Sequence, residues 1–425
     1  MLKTVFPFLI LAGVACAEVH TLTLKQSVAI ALRQNTDALM ARLDEQRAQA
    51  GVRIARDPFV PKVYGGSGLA WTSGYPNSIE GSAPSIFQAR TNMALFNRPK
   101  SYELAEAREN ARGATLDTAV KLDDITYRTS TMFLDTAQLA RNMQSVQQEV
   151  ASLSQVNESV QLRVSEGRDI PVTGKRAELS LAQSRQRYQA LQADQVYAEE
   201  SLALVLGFPD GDRVHPAIEE PLVLEMPADE AACVTVALEN NKQIRSLQSQ
   251  LQAKALEVRA QHSTWMPEID LVAQYARFAK RNYQDFFLKF QPDNGQLGVS
   301  IKIPILVGAA PSAQATQAEV DAAKLRAQVN EIRNRTALDT RKSYQDIHRA
   351  ELGRDVAKLD LDVARDQVSV LLAQLEEGRT TRQAVEEARL TEQGKWLAFY
   401  NSEHSLEKAK LTLLKNTGTL QSALR

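Results

Sequence analysis

The side chains that usually carry chemistry are present, but none stands in a working arrangement. The five histidines, His20, His215, His262, His348 and His404, are scattered along the chain. None has a second His or a Cys at a spacing that could hold a metal ion. No glycine-rich phosphate loop and no G-x-S-x-G nucleophile turn occurs. Paired carboxylates, which general acid–base catalysis needs, occur at Asp123-Asp124 and Glu199-Glu200. Both pairs fall in helical runs, where acids usually face water. The arginines between Arg333 and Arg341 alternate with apolar and acidic residues, as solvated helix faces do. The residues therefore predict no enzyme, no cofactor and no metal site, and the scaffold itself has to explain the chain.

That scaffold is organised around Ala114 to Glu166, a stretch without Gly or Pro. Leu139, Met143, Val146, Val150, Leu153, Val156 and Val160 recur at steps of three and four, which places them on one stripe of a helix. At ~1.5 Å per residue the run is roughly 80 Å long, several times a usual globular helix. Such a helix must pack side by side with others in a coiled-coil-like wall.

The chain has 425 residues, 44% apolar and 6% aromatic, with a formal net charge of −1. Without a basic excess there is no footprint for nucleic acid. Residues 1–17 carry Lys3, an apolar run and Ala15-Cys16-Ala17, the pattern of a secretory signal peptide. Cys16 opens a lipoprotein alternative, but Gly13 stands where such sites usually carry Leu. Cleavage after Ala17 is the preferred reading, and it leaves Cys233 as the single cysteine, so no internal disulfide forms. No later stretch approaches ~18 consecutive apolar residues. If an exported chain of this kind enters a membrane, it does so as a β-barrel or on its surface.

In order, Leu22 to Asp57 reads as helix, closed by Asp57-Pro58 and Val60-Pro61. From Val63 the period changes to alternation through Gly65, Ser67, Leu69 and Trp71. Gly74 to Pro84 reads as a loop, and Gln88 to Phe96 alternates again, with Thr91, Met93 and Leu95 on one face. The long helix starts near Ser101, after Pro99. It breaks at Glu166-Gly167-Arg168, and a second helix, Lys175 to Leu206, returns to Leu206-Gly207. A linker follows from Asp210 to Pro227.

The pattern then starts over. Val28, Ile30, Ala31, Leu32 and Asn35 correspond at one constant offset to Val234, Val236, Ala237, Leu238 and Asn241. The offset continues through Gln46 and Gln252, Arg53 and Arg259, to Pro61 and Pro267. Leu271, Ala273 and Tyr275 alternate as a strand. A polar loop with Phe286, Phe287 and Phe290 precedes the clearest strand, in which Val299, Ile301 and Ile303 point one way and Ser300 and Lys302 the other. Another long helix runs from Ser312 to Glu377 and breaks at Glu377-Gly378-Arg379. The last helix ends at Thr417-Gly418. The predicted organisation is a signal peptide over 1–17, a first repeat over 18–209, a linker over 210–227 and a second repeat over 228–425. The hairpins fall at about 62–96 and 268–305.

Four strands cannot close a membrane barrel, which needs about eight, and an open sheet leaves two bare edges. Three copies pooling their strands would give twelve. The alternatives are an exported soluble coiled-coil protein and a periplasmic adaptor subunit. An adaptor sets one helical hairpin between compact β domains and does not duplicate the unit.

Leu22-Thr23-Leu24 with Val28 to Leu32, Asn35 and Val60-Pro61 resembles the opening of TolC-like outer-membrane efflux proteins, as does the repeat from Val234 to Pro267. Pro304-Ile305-Leu306-Val307-Gly308 looks like that family's strand-to-helix junction. The order of these signals, duplicated, carries the resemblance over essentially the whole mature chain. It implies a mainly α fold with a β-barrel part, a duplicated helix–β-hairpin–long helix hairpin unit. The implied assembly is a homotrimer, with a twelve-stranded barrel in the cell outer membrane continued by a periplasmic α-helical tunnel. It implies a passive exit duct for efflux or type I secretion, working with a periplasmic adaptor (membrane fusion) protein and an inner-membrane pump. By position, the tip turns Gly167-Arg168 and Gly378-Arg379 are expected to dock the adaptor. Glu386 and Glu387 are gate candidates, although Ala384 occupies one place where an acid is often found. Val299, Ile301 and Ile303 are expected to face outer-membrane lipid.

Overall fold

The computed structural model describes residues 18–68, 85–217, 229–278 and 291–424. The expected signal peptide with Cys16 lies outside these residues. So do Leu69, Trp71, the Gly74 to Pro84 loop, Phe286, Phe287, Phe290 and most of the linker.

The first elements are β1 (Val19–Leu22), α1 (Leu24–Gln34), α2 (Thr36–Arg56) and a 3-10 turn (Asp57–Phe59). Strands β2 (Lys62–Gly66) and β3 (Ser85–Phe96) lead into α3 (Arg98–Ser165), and α4 (Pro171–Leu206) and β4 (Arg213–Pro216) follow. The second series is α5 (Glu230–Asn240), α6 (Lys242–His262), β5 (Glu268–Phe278), β6 (Asp293–Lys302), α7 (Ala310–Glu376), α8 (Arg382–Thr417) and α9 (Leu420–Ala423). Helices α1 and α5 have 11 residues each, α2 and α6 have 21, α4 and α8 have 36, and α3 and α7 have 68 and 67. At ~1.5 Å per residue, α3 is about 100 Å long.

Several boundaries differ from the sequence reading. The single helix expected from Leu22 to Asp57 is a strand and two helices. Asn35 breaks it: its Oδ1 accepts from the Asp37 and Ala38 amides at 2.8 and 3.2 Å, capping α2. Its Nδ2 donates to the Val205 carbonyl at 2.7 Å. An Asn serves better at a helix start than inside a helix, because its side chain competes for backbone groups. The linker is not wholly irregular, since β4 pairs in parallel with β1. Helix α3 begins at Arg98, because Pro99 is tolerated in a first turn whose amides lack helical partners.

Two compact units divide the chain, Met1–Met40 with Val120–Asn241 and Arg335–Arg425, and Ala41–Ala119 with Lys242–Asn334. Each unit draws on both halves of the sequence. In the first, Leu24, Val28, Ala31, Phe133, Leu202, Leu206, Val214, Leu411 and Leu414 form one buried cluster. Each large side chain there contributes roughly 1.5–3 kcal/mol by leaving water. Along α3, Val146, Leu153 and Val160 are buried at seven-residue spacing, the seam of a coiled coil. Helix α4 returns antiparallel to α3, with Arg187 bonded to Glu149 at 3.4 Å and Gln161 Nε2 bonded to the Gly174 carbonyl at 3.2 Å. Helix α8 returns along α7 in the same way, with Lys395 on Asp360 at 2.5 Å and the Arg365 guanidinium over the Trp396 ring at 4.6 Å.

The second unit holds an antiparallel sheet in the order β2-β3-β5-β6. Its helical segments bury small side chains, among them Ala253, Ala260, Ala315, Ala318 and Ala322. Small residues let helix backbones approach closely enough for hydroxyls to bridge them. Thr118 donates to the Ala41 carbonyl at 3.0 Å, and Ser246 donates to Asp117 at 2.6 Å.

Candidate functional site

The sheet is the first place where sequence and function meet. Successive strand residues point to opposite faces, and the register fixes which residues share one. Val63 pairs with Thr91, Thr91 with Ala273, Met93 with Leu271, Ala273 with Leu297, Leu271 with Val299 and Ile269 with Ile301. These residues make one nearly continuous apolar face. The other face carries Lys62 with Asn92, Arg90 with Gln274, Gln274 with Gln296, Asp270 with Ser300, and Lys302. Lys302 lies 3.6 Å from Asp270, so charges on the polar face are partly neutralised within it. The apolar face is uncovered in one chain: Leu297 is 80% exposed, Val299 57% and Ile301 62%.

The expected partition of β6 holds for Val299 and Ile301, which lie opposite Ser300 and Lys302. Ile303 lies one residue past the end of the strand. Pro304 follows it and lacks the amide that would extend the ladder. Leu95 also departs from its expected place, because a register shift between Ala94 and Phe96 interrupts the alternation. Strands β2 and β6 are the sheet's edges, each paired on one side.

The tip turns are built alike. Gly167 and Gly378 adopt left-handed φ of 73° and 71°, which glycine alone reaches without steric cost. Arg168 N donates to the Arg163 carbonyl at 2.8 Å, and Arg379 N to the Gln374 carbonyl at 2.8 Å. This six-to-one bond closes the last turn of each helix. The two arginines lie on the surface, near Glu166 at 3.3 Å and Glu377 at 3.2 Å. The turns re-enter their helices differently. Thr381 caps α8 by accepting from Ala384 N at 3.3 Å, whereas Ile170 offers α4 no side-chain cap and Pro171 follows. The same six-to-one closure recurs at Gly207 and Gly418, where Phe208 N reaches the Ala203 carbonyl and Thr419 N the Leu414 carbonyl, both at 3.0 Å.

Glu386 and Glu387 sit in the first turns of α8 and are not equivalent. Glu386 is half-buried and paired with Arg389 at 3.3 Å. Glu387 is exposed and accepts from Gln383 Nε2 at 3.1 Å.

One polar cluster escaped the sequence reading. Where α8 crosses α3, Asp135 accepts from Lys408 Nζ at 2.9 Å and lies 2.9 Å from His404 Nε2. Gln138 donates to Asn401 at 2.8 Å, and Tyr127 and Thr412 share a hydrogen bond at 3.1 Å. Burial pushes the Asp135 carboxyl up, but the His404 and Lys408 bonds outweigh it and hold it below the ordinary range. Burial raises the neighbouring Glu407 carboxyl, with Arg141 and His404 opposing. No spacing within one helix announces such contacts, since the partners lie far apart in sequence.

Among the described residues no helix is long and apolar enough to cross a membrane. The sequence pattern of the outer membrane efflux protein family matches residues 28–208 and again 234–419, and the chain belongs to that family. A search of curated proteins finds no sequence match. Among solved structures, the chain is similar to CusC, described with transmembrane channel formation, at a TM-score of 0.76 and 14% identity over 93% of this chain and 92% of that one. It is similar to the Campylobacter jejuni CmeC outer membrane channel (0.74, 14%, 93% and 86%) and to the Vibrio cholerae outer membrane protein VceC (0.74, 16%, 93% and 96%). Identities this low speak to the fold, and the fold is that of the TolC-like channels. Family and fold together make the chain an outer-membrane efflux protein with the fold of outer-membrane channels, and do not favour the soluble coiled-coil or adaptor readings.

Proposed function

We propose that three copies close their four-stranded sheets into one twelve-stranded barrel, and that the chain works as a passive exit duct without catalytic residues. The observation that carries this reading is the open sheet with one apolar and one polar face and two bare edges. A single chain cannot satisfy edges β2 and β6. Joining β2 of one copy to β6 of the next satisfies both and sets the apolar face against lipid and the polar face around a lumen. Val299 and Ile301, with Leu297, then meet the outer-membrane lipid, and Ile303 continues their line at the strand end.

In this reading the energy comes from an inner-membrane pump, and cargo arrives through a periplasmic adaptor that docks at Gly167-Arg168 and Gly378-Arg379. The matching left-handed turns with an exposed arginine support a shared docking role. Glu387, exposed near the second tip, is the better gate candidate, because Arg389 already pairs with Glu386. The domain division at 18–209 and 228–425 belongs to the same proposal, supported by the matched helix lengths.

The test is a cysteine pair, Tyr64→Cys in β2 and Ser300→Cys in β6, treated with a short bifunctional reagent in isolated outer membranes. Covalent trimers on a denaturing gel are expected with both cysteines and not with either alone. Monomers only, in both cases, would reject the shared barrel.

A further inference from the structure

The N-terminal end of the described chain is held in an unusually specific way. Glu18 N donates to Asp212 Oδ1 at 3.0 Å. The Glu18 carbonyl accepts from Arg213 N at 2.9 Å, next to the β1–β4 register that begins with Val19 opposite Arg213. Asp212 Oδ2 lies 3.5 Å from His20 Nε2, and the His20 ring stacks on Phe208 with centroids 4.4 Å apart. The Asp212 side chain is only 15% exposed. Among the described residues no lysine or arginine pairs with it. Arg213 is turned to Glu200 at 3.6 Å, and the nearby His215 is bonded to Glu199 at 2.9 Å.

A half-buried carboxylate that meets only a histidine and one backbone nitrogen lacks a permanent cation. The sequence offers one at the same nitrogen. Ala15-Cys16-Ala17 is the small-x-small pattern read by export peptidases, and cutting after Ala17 makes Glu18 N an α-amine. We propose that the Ala17–Glu18 bond is the processing site and that the ammonium it releases is seated on Asp212. Water supplies the hydroxyl to the Ala17 carbonyl and the proton to Glu18 N, and the amine takes a second proton from solvent. An amide at this nitrogen already makes a charge-assisted bond to the carboxylate, and an ammonium there adds the full opposite charge that Asp212 otherwise lacks. Lipidation of Cys16 would leave Glu18 N an ordinary amide and Asp212 uncompensated. The chain is thus clamped at its first mature residue by β1, β4 and Asp212, without a lipid tether.

Intact mass and N-terminal peptide mapping of the protein purified from outer membranes test the cut. An unmodified Glu18 terminus is expected, and a terminus at acylated Cys16 or at any other residue overturns the proposal. Acylation kinetics of the α-amine, followed on that peptide, test the seat. In Asp212→Asn the amine should react faster at neutral pH, about tenfold for each unit by which its pKa falls. An unchanged rate would show that the ammonium does not rest on Asp212. If the variant does not assemble, the pH profile of wild-type labelling answers the same question. Its midpoint must lie above the ordinary α-amino range of about 7.7–8.0, and a midpoint within it rejects the seat. Neither readout depends on whether the protein conducts.

Discussion

Leu297→Arg is the substitution that the sheet's two faces make most informative. Strand β6 has ten residues, and at ~3.4 Å per residue and a tilt near 45° it rises roughly 24 Å, about the height of a barrel's apolar band. Leu297 lies near its midpoint, on the apolar face, and is the most exposed large hydrophobic side chain of that strand. An arginine at the bilayer midplane of a lipid face destabilises by about 2–4 kcal/mol, and three copies per barrel raise that to roughly 6–12 kcal/mol. Gln296 is its neighbour on the opposite face, across from Gln274. Gln296→Arg should cost little, because its charge enters water. Ile301→Arg, near the strand end, should fall between, at about 0–1 kcal/mol per copy, and still exceed Ser300→Arg. The assay is the urea midpoint for assembly into lipid vesicles, read beside the yield of heat-resistant oligomer in the outer membrane. Equal losses for Leu297→Arg and Gln296→Arg would refute the assignment of faces. A larger loss for Gln296→Arg would invert it.

The glycine turns and the α3–α8 cluster give further outcomes. A Cβ at Gly207 would lie 2.8 Å from the Gln34 carbonyl oxygen, against 3.2 Å from the Asn240 oxygen at Gly418 and open space at Gly167. Alanine adds about 1–2 kcal/mol of left-handed strain at each. Thermal denaturation in detergent should therefore rank Gly207→Ala as most damaging, Gly418→Ala next and Gly167→Ala least; a reversed order would contradict the packing described. Because Asp135 is held below its ordinary range, the stability it contributes is present above the unfolded carboxyl pKa. It is lost as pH falls through the lower folded value. Asp135→Asn should lower the unfolding free energy at pH 7 by about 1 kcal/mol, given its partial exposure. Wild type and variant should converge in acid, and a difference independent of pH would remove the ion pair as its cause.

Much of this architecture was legible because its signals are periodic or punctuated. The heptad stripe through Val146, Leu153 and Val160 marked the buried side of α3. The glycines at 167, 207, 378 and 418 marked each left-handed helix end. Alternation through Val299 and Ile301 identified the apolar face of β6. What stayed hidden lacks a local period. The β1–β4 pair joins two four-residue strands across most of the first half, and four residues carry too little alternation to register. Asn35 looked like one polar residue on a helix until its side chain was seen holding both the α2 amides and the Val205 carbonyl. The Asp135, His404 and Lys408 contacts depend on how α8 lies against α3, which neither helix encodes alone. Glu386 and Glu387 looked interchangeable, and their burial and their separate partners, Arg389 and Gln383, tell them apart.

Single-channel recording of the detergent-purified protein in a planar bilayer, with its mass measured in the same preparation, tests the central claim most directly. A trimer giving discrete openings is predicted. Exchanging Glu386 and Glu387 for Gln should then alter conductance or cation selectivity, and an unchanged channel would reject the gate. A monomer that leaves the bilayer silent would contradict the account, because four strands with two bare edges would then have to be satisfied without a shared barrel.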